Sequence, residues 1–184
     1  MTVLAILHSG NVNQPSPEHR SITSIPGFTP MADKSSGEVE FVLFALDDGL
    51  WLGLGSDHTD RKAETVGVTL SKQLCGKPVG PQLWSYADVE GHWDELVLRS
   101  WATIDGKRVL YQESPVSSLR TPRDLIRRYA NADMLPAGTL MFCGTPGAIG
   151  GIRPGTRFEM ELSDPVLKRS LTHSYDVEVL PVIS

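Results

Sequence analysis

A run of apolar segments around a tight turn, from Glu38 to Arg61, constrains the fold of this chain more than any other feature. Asp47-Asp48-Gly49 is a turn signal, because glycine adopts positive φ without steric cost and aspartate tolerates it better than most residues. Apolar residues flank this turn on both sides. The run therefore predicts a β-hairpin. With Asp48-Gly49 as a two-residue loop, Glu40 is expected to pair directly with Asp57.

The open end of this hairpin gathers carboxylates. Side chains of paired residues, and of residues two apart on one strand, lie on the same face of a sheet. Glu38, Glu40 and Asp57 are therefore expected to converge on one patch. Three crowded carboxylates repel one another unless a cation lies between them, and such oxygen ligands suit Mg²⁺ or Mn²⁺ rather than zinc. The alternative is that the two glutamates are solvated acids at a strand start and that Asp57 caps the following helix.

Charge and composition exclude several classes of protein. The chain has 184 residues and a net charge of −5, with no basic stripe, so we expect no nucleic-acid partner. No stretch is long enough for a membrane span, and the apolar start at 3–7 is too short for a signal sequence. Cys75 and Cys143 fit reduced thiols better than a disulfide scaffold. We therefore expect a cytoplasmic protein with no membrane partner.

The remaining patterns predict an α+β fold that is rich in strands, with two or three short helices. One helix is expected from about Asp60 to Leu74, capped by Thr59, and a second begins at Thr121-Pro122 and continues to about Asn131. Further strands are predicted at 96–103 and 108–112, joined by a turn at 105–106, and at 139–143, 158–162 and 177–183.

The first 37 residues show little apolar periodicity and are rich in Pro, Ser and Asn. This pattern predicts an N-terminal arm or a degenerate lid over residues 1–37, and a main domain over residues 38–184.

Four motifs follow one another along the chain. They are Glu38-Val39-Glu40, the run Ser56-Asp57-His58-Thr59-Asp60-Arg61, Lys72 ahead of Gly80-Pro81, and the glycine-rich run from Gly144 to Gly150. In this order they resemble the fumarylacetoacetate hydrolase (FAH) superfamily, which has Glu-x-Glu, Asn-Asp-x-Ser-x-Arg, a lysine before a Gly-Pro step, and Gly-Thr-Pro before a glycine-rich turn. Tyr111-Gln112 also stands where that family has a strand ending in Gln. The resemblance covers roughly residues 36–162.

This resemblance implies a mixed β-roll or sandwich of the FAH C-terminal-domain type, usually a homodimer that binds Mg²⁺, Mn²⁺ or sometimes Ca²⁺. By residue-to-residue match it implies three sets of site residues: metal ligands Glu38, Glu40 and Asp57; catalytic charges Lys72 and Arg61; and substrate-binding residues Gly144, Thr145 and Gly147. The alternatives are that Lys72 is a helix-end cation, that Thr145 and the glycines only shape a turn, and that His58 packs on the opposite strand face.

The chain also departs from the family pattern. Many FAH-type hydrolases carry an N-terminal Gly-x-Asn-Tyr-x-x-His-x-x-Glu segment whose His and Glu activate water, and here His8 and His19 have no acidic residue three positions later. Ser56 stands for the usual Asn, and Ala148 for a usual Gly. The chain therefore resembles a divergent, compact branch of the family.

The resemblance implies a divalent-metal-dependent hydrolase or lyase that cleaves a C–C bond in a small 2-oxo or 1,3-dicarbonyl acid, such as an acylpyruvate. One alternative is a 2-oxo acid decarboxylase, isomerase or hydratase of the same family, because those reactions need an enolate but no activated water. A second alternative is a non-catalytic relative that binds a metal or metabolite, and a third is a structural β-rich domain with solvated acids.

Overall fold

The computed structural model describes residues 34–179, together with the backbone of three short strands at 4–6, 20–21 and 28–31. The strands, in chain order, are β1 Leu4–Ile6, β2 Arg20–Ser21, β3 Phe28–Met31, β4 Ser35–Ser36, β5 Val39–Leu46, β6 Gly49–Ser56, β7 Thr59–Asp60, β8 Gln82–Ser85, β9 Val97–Ile104, β10 Lys107–Pro115, β11 Thr139–Phe142, β12 Arg157–Asp164 and β13 Arg169–Val179. The α-helices are α1 Arg61–Glu64, α2 Val68–Gln73, α3 Tyr86–Val89 and α4 Pro122–Ala130, with 3₁₀ turns at Glu90–Glu95 and Val116–Ser118.

The described strands form two large sheets and one small one. The six-stranded sheet has the order β1-β11-β5-β6-β8-β2, the five-stranded sheet has the order β10-β9-β12-β13-β3, and β4 pairs with β7. Most of these pairs are antiparallel, whereas β13 and β3 run parallel. This arrangement confirms the predicted strand-rich α+β fold with short helices.

The main hydrophobic core forms where inward-facing residues of both sheets meet. Alternate residues of β5, such as Phe41 and Leu43, belong to the same buried cluster as Phe158 and Leu162 of β12. The residues between them on β5 belong to a second cluster, which consists of Val42, Phe44, Leu83, Leu140 and Phe142. Because both faces of β5 are buried, its sequence is apolar almost throughout, as expected for a strand covered on both sides.

The first hairpin forms as predicted, but its register differs by two residues. Leu46 pairs with Gly49, so Asp47 and Asp48 are the loop, and Glu40 pairs with Gly55 rather than with Asp57. The positive φ falls on Gly49, at 138°, and neither aspartate has a positive φ. The turn therefore places glycine after the two central residues, as in a type I turn followed by glycine, rather than at the second central position.

The prediction of one continuous helix from about Asp60 to Leu74 is wrong. The chain forms α1 and α2 with a break at Gly67, whose backbone is extended at φ −176°. The N-cap is Asp60, not Thr59, because the Asp60 carboxylate accepts hydrogen bonds from the amides of Lys62 and Ala63, both at 2.9 Å. Val66, at 81% exposure, lies outside any core. A glycine in a helix interior costs about 1 kcal/mol, and no buried apolar face offsets that cost here.

Two other elements agree with the sequence closely. The hairpin of β9 and β10 turns at Asp105-Gly106, both with positive φ, as a two-residue loop of this composition favours. Helix α4 begins after Thr121, whose hydroxyl accepts a hydrogen bond from the Asp124 amide, and ends at Asn131 in the left-handed conformation. These caps fix the direction in which α4 presents its side chains.

The predicted division at residue 37 remains a prediction, because most of residues 1–33 lie outside the described part of the chain. Within that stretch, β1 pairs with β11, β2 with β8 and β3 with β13, so these three segments extend the two large sheets. The predicted last strand at 177–183 is described only as far as Val179, the end of β13. Across the described residues, no helix is long and apolar enough to cross a bilayer.

Candidate metal centre

Three carboxylates meet where β5 begins and β6 ends. Glu38, Glu40 and Asp57 each offer a carboxylate oxygen, and these atoms all lie within 4.8 Å of one another. Glu40 and Asp57 are almost completely buried, at 1% and 0% exposure. The sequence predicted this convergence.

The backbone of the hairpin holds this cluster in place. The amide of Asp57 donates to the carbonyl of Glu38 at 3.0 Å, so Asp57 lies opposite Glu38 beyond the last pair of β5 and β6. The amide of Glu38 donates to Ser56 Oγ at 3.1 Å, and the amide of Ser56 donates to the Pro78 carbonyl at 2.8 Å. The positions of these carboxylates are therefore set by the sheet and not by a flexible loop.

Three cationic side chains surround the cluster. The guanidinium of Arg61 contacts Glu38 Oε1 at 2.7 Å, and the ammonium of Lys72 contacts both Glu38 Oε2 and Asp57 Oδ2, the latter at 3.1 Å. Lys77 contacts Asp57 Oδ1 at 3.0 Å and donates to the carbonyl of His58 at 2.6 Å. Arg61 and Lys72 were predicted from the sequence. Lys77 was missed, because the long-range bond from the Ser56 amide to the Pro78 carbonyl that brings it to Asp57 leaves no signal in the local sequence.

The cluster fits a hard divalent cation. Burial, together with the neighbouring Asp57 and Glu38 carboxylates, raises the pKa of Glu40 to about 8, although the Gly144 amide opposes the shift by donating to Glu40 Oε2 at 2.6 Å. Both oxygens of Asp57 are buried at ion-pair distance from ammonium groups, without hydrogen bonds of good angular geometry. Buried acceptors of this kind, in a set of three carboxylates, are the donor set that Mg²⁺ and similar cations prefer.

A glutamine ties the glycine-rich loop to this centre. The side-chain amide of the buried Gln112 donates to Thr145 Oγ1 at 2.7 Å and to the Pro146 carbonyl at 2.6 Å. Its oxygen accepts from the Val39 amide at 3.0 Å, and Thr145 Oγ1 donates to the Val39 carbonyl at 2.8 Å. The loop is therefore held against the start of β5. In this arrangement, the Gly144 amide and the Thr145 hydroxyl proton are both engaged within the protein.

A cavity of about 700 Å³ opens over the cluster. It is lined by Glu38, Glu40, Glu64, Val68, Lys72, Ser118, Leu119, Arg120, Leu125, Arg128, Tyr129, Cys143, Gly144 and Thr145. Of the site residues expected from sequence, Arg61 lies behind Glu38 and does not line the cavity. Gly147, which is exposed, and Asp57, which is completely buried, also do not line it.

His58 and the cysteines have structural environments. Burial, reinforced by Lys77, lowers the pKa of His58 to about 3, and its ring packs edge-on against Phe158 and Tyr175. His58 Nδ1 lies 2.8 Å from the Tyr175 hydroxyl. Burial and the nearby Glu40 raise the pKa of the Cys143 thiol well above its usual value. A neutral buried imidazole and a protonated thiol are packing groups, which agrees with the expectation for His58.

Solved structures with a similar fold include metal-binding and metabolic proteins. The crystal structure of Cg1458 matches with a TM-score of 0.58 and 18% identity, covering 83% of this chain and 62% of that one. A hexagonal crystal form of 2-keto-3-deoxyarabinonate dehydratase matches with a TM-score of 0.58 and 16% identity, covering 89% and 60%. The 2-keto-3-deoxy-D-arabinonate dehydratase complexed with magnesium and 2,5-dioxopentanoate matches with a TM-score of 0.57 and 16% identity, covering 81% and 54%.

At these identities the likeness concerns the fold, and this chain spans less than two thirds of each of those proteins. No curated protein matches the sequence at a significant level. The family described as "Protein of unknown function (DUF2848)" matches residues 20–175, which is most of the chain. The chain therefore belongs to the DUF2848 family.

Proposed function

We propose that the protein is a divalent-metal-dependent enzyme of the FAH type, acting on a small 2-oxo or 1,3-dicarbonyl acid. The observation that carries this proposal is the convergence of Glu38, Glu40 and Asp57 within 4.8 Å, with Lys72 beside them. Of these residues, Glu38, Glu40 and Lys72 line a cavity. The order of the sequence motifs supports the FAH assignment. The fold shared with a dehydratase crystallised with magnesium and a dioxo acid supports the class of substrate.

In this proposal Glu38, Glu40 and Asp57 hold the metal, which is Mg²⁺ or Mn²⁺, with Ca²⁺ as a further candidate. When bound, such a cation polarises the substrate carbonyl and stabilises an enolate. The Gly144 amide donates to Glu40 Oε2, so Glu40 Oε1 is the oxygen proposed to bind the metal. Arg61 fixes Glu38 from behind and orients its carboxylate.

Lys72 is the proposed catalytic charge. It lines the cavity, and its ammonium group lies between Glu38 and Asp57. Burial alone lowers the pKa of Lys72, but the two carboxylates raise it above its usual value, so the group stays cationic. A cation at this place stabilises negative charge on a substrate oxygen and can return a proton to the substrate.

Gly144, Thr145 and Gly147 are proposed to bind the substrate carboxylate or carbonyl. Gly144 and Thr145 line the cavity, which supports the proposal for these two. Their donors are already engaged with Glu40 and Val39, so a ligand must compete with those bonds. For Gly147, which is exposed, the support is the sequence motif alone.

Hydrolytic or lytic C–C cleavage is the leading reaction, and elimination, decarboxylation or isomerisation at the same site is the second candidate. One observation favours the second group: within the described residues, no histidine lines the cavity that could activate water. An enolate mechanism without an activated water uses the metal ligands and Lys72.

We also propose a cytoplasmic homodimer. A relative that binds metal and metabolite without turnover is the non-catalytic alternative.

A thermal melt tests this proposal. We expect Mg²⁺ or Mn²⁺ to raise the melting temperature of the wild type, and oxalate to raise it further by chelating the bound metal. Glu40→Gln should abolish both shifts, whereas Glu95→Gln, an exposed control on the 3₁₀ turn at Glu90–Glu95, should keep them. At a metal concentration of 100 Kd, stabilisation is about 2.7 kcal/mol, or roughly 5–10 °C for a chain of this size.

Turnover separates the reactions from one another and from the non-catalytic alternative. Purified protein with Mg²⁺ is offered acylpyruvates, oxaloacetate and 2-keto-3-deoxy sugar acids, and the products distinguish C–C cleavage, decarboxylation and dehydration. Lys72→Met should lower turnover while keeping the metal-dependent melting shift. An absence of any metal-dependent shift in the wild type would refute the metal site, and a shift without turnover would support a binding protein.

A further inference from the structure

Glu64 is a carboxylate of the cavity that has no part in the proposed chemistry so far. It is the last residue of α1, and it lines the same cavity as Glu38, Glu40 and Lys72. Among the described residues that line this cavity, Glu64 is the one carboxylate that is not a proposed metal ligand. Its side chain is 33% exposed, so part of it is open to a ligand.

A single guanidinium joins Glu64 to the metal ligands. Arg61 Nη1 lies 3.0 Å from Glu64 Oε2, and Arg61 Nη2 lies 2.7 Å from Glu38 Oε1. The third nitrogen, Nε, donates to Ser36 Oγ at 2.7 Å. A guanidinium is planar and directs its hydrogen bonds in a fixed fork. Glu64 is therefore held beside Glu38, on the neighbouring nitrogen of the same group.

The short helix that carries Glu64 is fixed by its own cap. The Asp60 carboxylate accepts hydrogen bonds from the amides of Lys62 and Ala63, both at 2.9 Å. Arg61 and Glu64 are three residues apart, a spacing that places two side chains on the same side of a helical turn. The turn therefore supplies both the carboxylate and the cation that holds it.

The other ionisable groups of the cavity are poor proton acceptors. Lys72 is held as a cation between two carboxylates, and the thiol of Cys143 donates to the Met141 carbonyl at 3.2 Å. Arginines stay charged, and hydroxyl groups are far weaker bases than a carboxylate. In Glu64, Oε2 binds Arg61, and the second oxygen of the carboxylate brings further lone pairs. Glu64 is therefore the lining group best suited to accept a proton.

Some of the candidate reactions need such a proton acceptor. Decarboxylation forms an enolate by losing carbon dioxide. Elimination and isomerisation of a 2-oxo acid instead begin with loss of a proton from C3, the carbon next to the carbonyl. A side chain that removes this proton acts as a general base.

We propose that Glu64 is this general base and that it removes a proton from C3 of the bound 2-oxo acid. The Glu64 carboxylate takes the proton and becomes a carboxylic acid. The electron pair of the broken C–H bond forms the C2–C3 double bond, and the π pair of the carbonyl moves to its oxygen, which gives the enolate. Return of the proton to C3 reverses the step. The inference rests on the proposed function, because it takes the 2-oxo acid to be held at the carboxylate cluster.

Deuterium exchange tests this inference on simple 2-oxo acids. Pyruvate and 2-oxobutanoate are incubated with the protein and Mg²⁺ in D₂O, and proton NMR follows the loss of the C3 signal, with Mg²⁺ alone as the blank. We expect the wild type to exchange these protons faster than the blank. The variant E64Q keeps an oxygen for Arg61 but cannot take a proton, so it should slow the exchange by about 100-fold or more.

Two further measurements separate a base from a structural role. In calorimetric titrations with Mg²⁺, E64Q should bind oxalate as the wild type does, because Glu64 is not a proposed metal ligand. In E64A, added acetate should restore more of the exchange rate than fluoroacetate, which has a similar size but is a weaker base. The matched control is E90Q: Glu90 pairs with Arg123 at 2.6 Å but does not line the cavity, so this variant should behave as the wild type.

The outcomes separate this inference from the proposed function. If oxalate binds with Mg²⁺ and E64Q exchanges C3 protons as fast as the wild type, the inference is refuted and the proposed function stands. The same holds for a wild type that binds oxalate but exchanges no C3 proton. If E64Q loses oxalate binding together with exchange, Glu64 supports the site through Arg61 and the inference is likewise refuted. If oxalate does not bind to the wild type with Mg²⁺, the proposed function fails and this inference fails with it.

Discussion

The raised pKa of Glu40 predicts that metal affinity depends strongly on pH. A carboxylic acid must lose its proton before it can bind a cation. Burial and the neighbouring carboxylates raise the pKa of Glu40 to about 8 in the metal-free protein. Proton competition then weakens the apparent affinity about 100-fold at pH 6, about tenfold at pH 7 and about twofold at pH 8. Affinity should therefore rise by about tenfold per pH unit below pH 7 and level off above pH 8.

Isothermal titration calorimetry with Mg²⁺ measures this dependence directly. Titrations in two buffers with different ionisation enthalpies also count the released protons, and we expect about 0.9 proton per metal ion at pH 7. Glu40→Gln removes a proposed metal ligand together with this proton, so we expect no metal binding that titrates with pH in this variant. Glu95→Gln should reproduce the wild type. A wild-type affinity that stays constant from pH 6 to pH 8, with no proton released, would contradict the reasoning.

Three further predictions concern stability and charge. In the metal-free protein, Glu40 keeps its proton up to about pH 8 and His58 stays neutral down to about pH 3, so their opposite effects on stability cancel between about pH 4.5 and pH 6.5. Above pH 6.5 Glu40 acts alone, and stability should fall by about 2 kcal/mol between pH 6.5 and pH 8 in urea unfolding. Lys77→Met should strengthen Mg²⁺ binding several-fold, because it removes one positive charge near the metal. The same change should lower the melting temperature of the metal-free protein, because Asp57 loses a counter-charge. Weaker Mg²⁺ binding by this variant would show that Lys77 instead orients Asp57. Gln112→Ala should cost about 3 kcal/mol in urea unfolding, because it leaves buried partners without hydrogen bonds, and a cost below about 1 kcal/mol would contradict the network described for it.

The first hairpin shows why the carboxylate cluster was predictable although its pairing was not. The turn sequence admits glycine at more than one position, and the register shifted by two residues. A shift of two keeps every side chain on its face, whereas a shift of one moves every side chain to the other face. Glu38, Glu40 and Asp57 therefore converge under the register found as well as under the one expected.

Elements whose form depends on tertiary contacts were predicted less well. A single helix was expected from about Asp60 to Leu74, but its apolar residues Val66, Leu70 and Leu74 are exposed and Gly67 interrupts it. Lys77 reaches Asp57 only because the Pro78 carbonyl pairs with the Ser56 amide, a contact across 22 residues that no local pattern encodes. Caps and turns are local and were predictable, whereas these long-range placements were not.

The lysines beside Asp57 have a consequence for how such a protein behaves when metals are scarce. Proteins whose structural metal supplies the folding energy unfold when a chelator removes it. Here Lys72 and Lys77 already compensate the buried charge of Asp57, and the sheet itself positions the carboxylates. We therefore expect the protein to fold without a bound metal. Under the proposed function, starvation for divalent cations then leaves a reservoir of intact, inactive protein that recovers when the cation returns, without new translation.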